Sequence, residues 1–212
     1  MTAPVRILLA DDHEVVRAGY RYLLQRQPHW EVVAEADTAQ AAYTLYSTHR
    51  PDIFVTDLSL PGASGLEAIR RVMALDASAR IVVFTMHASP DFATAALRQG
   101  ALGYVTKSSA PEVLLRAMDM ALRGRQALSP DIAQALALAR LGGNGHPVHT
   151  LTPREFELLS LLVAPVNVDD IAEQLHLSVK TVNNLHYQIK RKLGVANDIE
   201  LTRLALSWGI GA

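Results

Sequence analysis

Residues 52–69 read DIFVTDLSLPGASGLEAI. The run 53–56 is short, apolar and partly β-branched, the pattern of a strand, and it ends directly on an acid, Asp57. A helical pattern follows over 65–75. Strand, acid at the carboxyl end, then helix is the unit that decides the fold, because it recurs on both sides.

Toward the N-terminus, strands are expected at 5–10 and 31–34, with helical patterns at 15–26 and 39–48. Toward the C-terminus they are expected at 81–85 and 103–106, with helical patterns at 91–99 and 111–122. Five strands alternating with five helices predict an α/β fold: a doubly wound, five-stranded parallel sheet covered on both faces. In such sheets, ligands bind beyond the carboxyl ends of the strands, at the point where strand order reverses. Residues with chemistry should therefore stand just after strands. Several do: Asp11 and Asp12 follow the first strand, Asp57 the third, Thr85 ends the fourth, and Lys107 follows the fifth.

Carboxylates brought together repel one another, and such a group persists where a cation or proton relieves it. Oxygen ligands without His or Cys favour a hard ion such as Mg2+. A lysine and a hydroxyl opposite complete a clamp for a phosphoryl group. A carboxylate can also be the nucleophile and form an aspartyl phosphate, and Asp57, on the central strand, is the candidate. Each of these residues alone reads as a cap, a turn or a solvated charge; five at successive strand ends do not.

The chain has 212 residues, half of them apolar, and a formal net charge of −1. That length suits two small domains. With no cysteine, disulfide scaffolds, zinc fingers and thiol catalysis are excluded. The start, MTAPVRILLADDHE, meets acids too early for an export signal, and no run of about 18 apolar residues exists to span a membrane. A cytoplasmic protein without a membrane partner is expected.

The pattern changes after residue 125. The division expected is 1–125, a segment 126–149 made of a helix at 130–141 and a Gly-rich linker at 142–147, and an all-helical domain at 150–212 with helices near 153–163, 168–174, 179–193 and 199–207. In the third of these, Val182, Leu185, Ile189 and Leu193 form one buried stripe. The opposite face carries Lys180, Asn183, Asn184, Tyr187 and Arg191: cations for phosphates, amides for base edges and one aromatic. Ser178 is a natural cap for this helix, and Asn167 for the shorter one before it. The three residues from His176 to Ser178 suit a helix-turn-helix. Taken locally, a small bundle that binds protein is the alternative.

The segments LLADDHEVVRAGYRYLL (8–24), DIFVTDLSLPGASGLEAI, VVFTMHA (82–88) and GALGYVTKSSAPEVLLRAM (100–118) resemble a receiver domain, which has a flavodoxin-like sheet. The resemblance implies that Asp57 accepts a phosphoryl group from a histidine kinase. It implies that Asp11, Asp12, Asp57 and the Ser59 carbonyl hold Mg2+, that Lys107 and Thr85 contact the phosphoryl oxygens, and that Tyr104 changes rotamer. Taken alone, Tyr104 reads as packing. Pro61, Gly62 and Gly65 match the family's loop. LTPREFELLSLL (151–162), the stretch 170–195 and ELTRLAL (200–206) resemble the LuxR-type helix-turn-helix domain, and the pair resembles the NarL/FixJ group of regulators.

In that group the groove-facing positions fall here on Asn183, Asn184 and Tyr187, with Lys180, Lys190 and Lys192 near the DNA backbone and Thr181 also among the DNA-binding residues. Members commonly dimerise through the last helix, here about 199–208, and RNA polymerase is a further partner. This chain departs from the pattern: Pro165, Val168 and Asp169 replace Gly and an Asn-Lys pair, Leu185 stands where His is common, and Asn183 where Lys is common. Weaker, less salt-dependent DNA binding is expected. The expected function is phosphorylation-controlled binding of double-stranded DNA as an activated homodimer, without enzymatic turnover. The alternatives are a phospho-regulated output that binds protein, and an Mg2+-dependent phosphatase, which would leave residues 148–212 without a purpose.

Overall fold

The computed structural model describes residues 3–61, 65–142, 150–163, 166–175 and 177–207. The loop glycine Gly62, the linker residues 143–147, Pro165, His176 and the end of the last helix at Trp208 lie outside them. The chain forms two compact units, Met1–Gly143 and Asn144–Ala212.

In the first unit, β1 (Val5–Ala10), β2 (Trp30–Ala36), β3 (Ile53–Thr56), β4 (Ile81–Thr85), β5 (Gly103–Thr106) and β6 (Ala127–Leu128) make one sheet in the order β2-β1-β3-β4-β5-β6. All neighbouring strands pair in parallel. The order reverses between β1 and β3, which is the switch point the strand pattern called for. The helices α1 (Glu14–Gln25), α2 (Ala39–His49), α3 (Gly65–Leu75), α4 (Pro90–Arg98) and α5 (Pro111–Leu122) alternate with the strands. β3 and β4 are buried along their whole length, as their uninterrupted apolar sequence requires.

Five strands were expected and six are present among the described residues. β6 is two residues long, too short for any alternation to show, and it enters the sheet by pairing Gly103 with Ala127 and Tyr104 with Leu128. The helix expected next is α6 (Pro130–Gly142). It packs on α4 and β5, with Ile132 and Ser129 fully buried, so β6 and α6 belong to the first unit instead of standing apart from it.

The second unit holds α7 (Pro153–Leu162), α8 (Val168–Gln174), α9 (Val179–Leu193) and α10 (Asp198–Ser207) around Leu158, Leu159, Ile171, Val182, Ile189, Leu201 and Ala205. In the α9 stripe Val182 and Ile189 are fully buried, and Leu185 and Leu193 pack against the same core. The helix starts are chemically specified. Thr152 and Glu155 form a capping box on α7, Asn167 accepts from the Asp170 amide, and Ser178 accepts from the Thr181 amide. Gly194 ends α9 in the left-handed conformation, at φ 69°.

Candidate functional sites: the acidic pocket and the exposed face of α9

The parallel pairing brings the carboxyl ends of β1, β3, β4 and β5 to one edge, and with them Asp11, Asp12, Asp57, Thr85 and Lys107. Asp57 is held where it is by a close approach: a β-carbon on Gly65 would lie 2.0 Å from the Asp57 carbonyl oxygen, so only glycine lets α3 begin here. Lys107 Nζ lies 2.6 Å from Asp57 Oδ2 and 2.7 Å from Asp11 Oδ2. The side chains of Asp11 and Asp57 are each 3% exposed and that of Lys107 is 7% exposed.

Charges this deep set one another's state. Burial pushes the Asp57 carboxyl up, but the Lys107 charge and hydrogen bonds from Lys107, Thr85 and the Ser59 amide outweigh it and hold Asp57 below the usual carboxylate range. Asp11 goes the other way, because burial wins over the same lysine and the Asp57 charge adds to it. Burial pulls the Lys107 ammonium down, but the Asp57 and Asp11 carboxylates outweigh it and hold Lys107 above the usual lysine value. The pocket therefore presents an ionised Asp57 beside a cation, the state a nucleophilic carboxylate needs.

Beside Asp57 is a buried hydrogen-bonded chain. Ser59 Oγ and His87 Nε2 are 2.8 Å apart, the His87 amide donates to Thr85 Oγ1 at 3.4 Å, and the Tyr104 hydroxyl donates to the His87 carbonyl at 2.8 Å. Tyr104 is fully buried, and burial holds its hydroxyl protonated as a donor. Sequence reasoning placed Ser59, Thr85 and Tyr104 at the site but missed the bond from Tyr104 to the His87 carbonyl.

It missed a second connection as well. Thr106 Oγ1 donates to Asp131 Oδ2 at 2.7 Å, and the Thr106 amide donates to Ser129 Oγ at 3.4 Å. The residue before Lys107 thus holds the start of α6. The Ser129-Pro130-Asp131 run marks a helix start in the sequence, but nothing there names Thr106 as its partner.

The pocket fits a divalent cation. Asp11, Asp12, His13 and Asp57 offer ligand atoms that all lie within 4.8 Å of one another. Asp12 Oδ1 is buried and makes no hydrogen bond, with only the His13 Nδ1 contact at 2.8 Å beside it, a position of the kind an ion satisfies.

In the second unit the α9 face is as the spacing implied. Lys180, Thr181, Asn183, Asn184, Tyr187 and Arg191 are all exposed, Tyr187 by 66%. Two of the expected backbone contacts have partners inside the unit. Lys190 Nζ is 2.8 Å from Asp198 Oδ1, and Lys192 Nζ is 2.6 Å from Oε2 of the buried Glu155, the same oxygen that accepts from the Thr152 amide. His186 Nε2 also approaches Asp198, at 2.9 Å. Asp169 on α8 is exposed. Among the described residues no helix is long and apolar enough to cross a membrane.

Comparison with known proteins agrees with both halves. Residues 7–119 match the family described as "Response regulator receiver domain", and residues 149–205 match "Bacterial regulatory proteins, luxR family". Over 208 residues the chain is 35% identical to response regulator UvrY of Escherichia coli K12, covering 97% of this chain and 95% of that protein. It is 33% identical to response regulator GacA of Pseudomonas aeruginosa PAO1, with 97% of both covered.

Among solved structures, a LuxR-family two-component response regulator from Aurantimonas sp. SI85-9A1 is 52% identical with a TM-score of 0.64. It covers 66% of this chain and 99% of that one. Salmonella enterica RcsB bound to promoter P1flhDC in the presence of the phosphomimetic BeF3- is 30% identical with a TM-score of 0.63, covering 96% and 98%. With a sheet-edge acidic pocket, a capped helix-turn-helix and matches along nearly its whole length, the chain belongs to the two-component response regulators of the NarL/FixJ group, a receiver domain followed by a LuxR-type DNA-binding domain.

Proposed function

We propose that Asp57 takes a phosphoryl group from the phosphohistidine of a sensor kinase and that this charge governs how α9 meets double-stranded DNA. The observation that carries the reading is Lys107 held between Asp11 and Asp57 beside the buried Oδ1 of Asp12. An Asp57 carboxylate oxygen attacks phosphorus, an O–P bond forms, and the N–P bond to the kinase histidine breaks. Lys107 and Thr85 then meet the phosphoryl oxygens with a charge and a hydroxyl. Asp11, Asp12, Asp57 and the Ser59 carbonyl would hold Mg2+, which neutralises the charge gathering on the transferred group. The chain accepts a phosphoryl group and does not turn over small phosphoesters.

The signal leaves the pocket along two bonded routes. Thr85 and Tyr104 meet at His87, and Lys107 follows Thr106, whose hydroxyl holds Asp131 of α6. Sequence continues from α6 into the DNA-binding unit. A shift in Lys107 toward the phosphoryl group biases the Thr106–Asp131 contact, and phosphorylation acts as a population shift on that element.

On DNA, Asn183 and Asn184 suit adenine edges in the major groove, Thr181 and Tyr187 flank them, and Lys180 with Arg191 meets phosphate. Lys190 and Lys192 reach phosphate only by leaving Asp198 and Glu155. The active species is a homodimer that places two α9 helices one DNA turn apart, as two-fold operators require. DNA-bound RcsB, among the similar structures, supports this reading over a protein-binding output. The cytoplasm, where kinase, DNA and RNA polymerase meet, is the setting.

Light scattering with beryllofluoride and Mg2+ tests the mechanism: a heavier species and tighter operator binding are expected. An unchanged mass with unchanged DNA affinity would sink it. A selection of bound genomic DNA that recovers no shared motif would return the second unit to protein binding.

A further inference from the structure

We infer that His13 lends an imidazole nitrogen to the ion in the acidic pocket, fitting the pocket for a borderline divalent transition ion, Mn2+, Ni2+ or Zn2+, as well as for Mg2+. This rests on the reading that Asp11, Asp12 and Asp57 hold a divalent cation.

His13 occupies the capping position of α1, yet its side chain makes no cap bond. Its amide donates to Asp11 Oδ1 at 2.9 Å, which fixes the residue against the pocket. Its ring turns toward the acids: Nδ1 lies 2.8 Å from Asp12 Oδ1 and 3.5 Å from Asp11 Oδ1. At 2.8 Å a hydrogen bond is expected, but Asp12 Oδ1 has none. The nitrogen and the oxygen thus sit side by side in contact without a hydrogen bond between them.

That is how two ligands share an edge of one coordination sphere. Metal–ligand distances of about 2.1 Å put adjacent octahedral ligands about 3.0 Å apart. The Asp12 side chain is 8% exposed, so water reaches its Oδ1 poorly, whereas the His13 side chain is 49% exposed and leaves the ion's outer positions open. Lys107 approaches Asp11 and Asp57 on their Oδ2 atoms, and the histidine approaches Asp11 on Oδ1, so cation and imidazole occupy different sides of that carboxylate.

Imidazole changes which ion wins. Oxygen donors alone suit Mg2+, whereas one nitrogen raises affinity along the series from Mn2+ toward Ni2+ and Zn2+. With this ligand set such ions compete with Mg2+ for the one place in the pocket.

The test is electron spin echo spectroscopy of Mn2+ added to the untagged full-length chain, which reads nitrogen bonded directly to the ion. A nitrogen coupling is expected, and it should vanish in His13→Gln and in His13→Asn while Mn2+ still binds. The second variant keeps a capping residue at the head of α1. By calorimetry, Ni2+ affinity should fall by about tenfold or more in both variants, a loss at least as large as that from removing an outer-shell partner, with Mg2+ affinity little changed. Bound Mn2+ without a nitrogen coupling, or a coupling that survives both variants, overturns the role of His13 and leaves the acidic pocket standing. Failure of the wild-type chain to bind Mn2+ at all removes the pocket reading itself.

Discussion

The receiver keeps its reactive groups buried and bound to one another, whereas the exposed face of α9 presents amides, a hydroxyl and a phenol to solvent. Asp11, Asp57 and Lys107 are nearly sealed, and the ionisation of each is set by the others. On α9, Asn183, Asn184 and Tyr187 stand exposed, and the lysines near the helix end are paired with Asp198 and Glu155. Buried charges are stable only as a complete set, so the pocket tolerates little change. Exposed polar groups cost little and contribute little until a partner desolvates them, so the face can drift from the pattern of its relatives and still fold.

The largest expected effect is therefore on the buried side. Asp57→Asn should reduce labelling by acetyl phosphate and Mg2+ to background while the fold is retained. Label that persists means another acceptor and breaks the contrast at its root. Next comes stability. Lys107→Gln leaves two buried carboxylates without their cation, a change that costs about 3 kcal/mol or more, and urea unfolding of the receiver should show it. Millimolar Mg2+ should recover part of that loss. A variant as stable as wild type would mean that the pocket is far wetter than its burial implies.

A smaller effect is expected at the start of α6, where a partly exposed group joins the two settings. Burial raises the Asp131 carboxyl, but hydrogen bonds from Ser129 and Thr106 outweigh it and leave it below the ordinary value of 3.8. A carboxyl depressed by folding stabilises the folded state above its unfolded pKa and loses that contribution as pH falls through the folded value. Protection of the α6 amides from hydrogen exchange should hold near pH 5 and decline below pH 3.8. Thr106→Val should weaken the same amides at neutral pH by about 1 kcal/mol. Unaltered exchange would remove α6 from the signalling route.

The same contrast explains what could be read from sequence. The acids, Thr85 and Lys107 were legible because strand ends in a parallel sheet converge wherever the side chains are buried, so position along the chain fixes position in space. The α9 stripe and its caps were legible because helix periodicity is local. Hidden from sequence were features that depend on distant partners: Lys190 on Asp198, Lys192 on Glu155 and Thr106 on Asp131 pair residues that no period relates. β6 was hidden for another reason, since two residues carry no pattern and the strand exists only because β5 leaves an edge open.

The finest distinction concerns those lysines. Among the described residues of α9, Lys180 and Arg191 have no acidic partner, while Lys190 and Lys192 do. Each phosphate neutralised on duplex DNA contributes about 0.9 to the slope of log affinity against log salt. Two free cations per protomer give a dimer a slope of about −3.6, shallow for a repressor-sized site. Arg191→Gln should lower that magnitude by about 1.8 for the dimer, because both protomers lose a contact. Lys190→Gln should lower it by less, because reaching DNA already requires this lysine to abandon Asp198. Asp198→Asn should act in reverse: it releases Lys190 and steepens the slope without adding a residue to the interface. Fluorescence anisotropy on a fixed operator across a salt series reads all three. If Lys190→Gln and Arg191→Gln prove equal, the internal pairs dissolve on binding at no cost, and α9 is as cation-rich in action as its sequence first suggests.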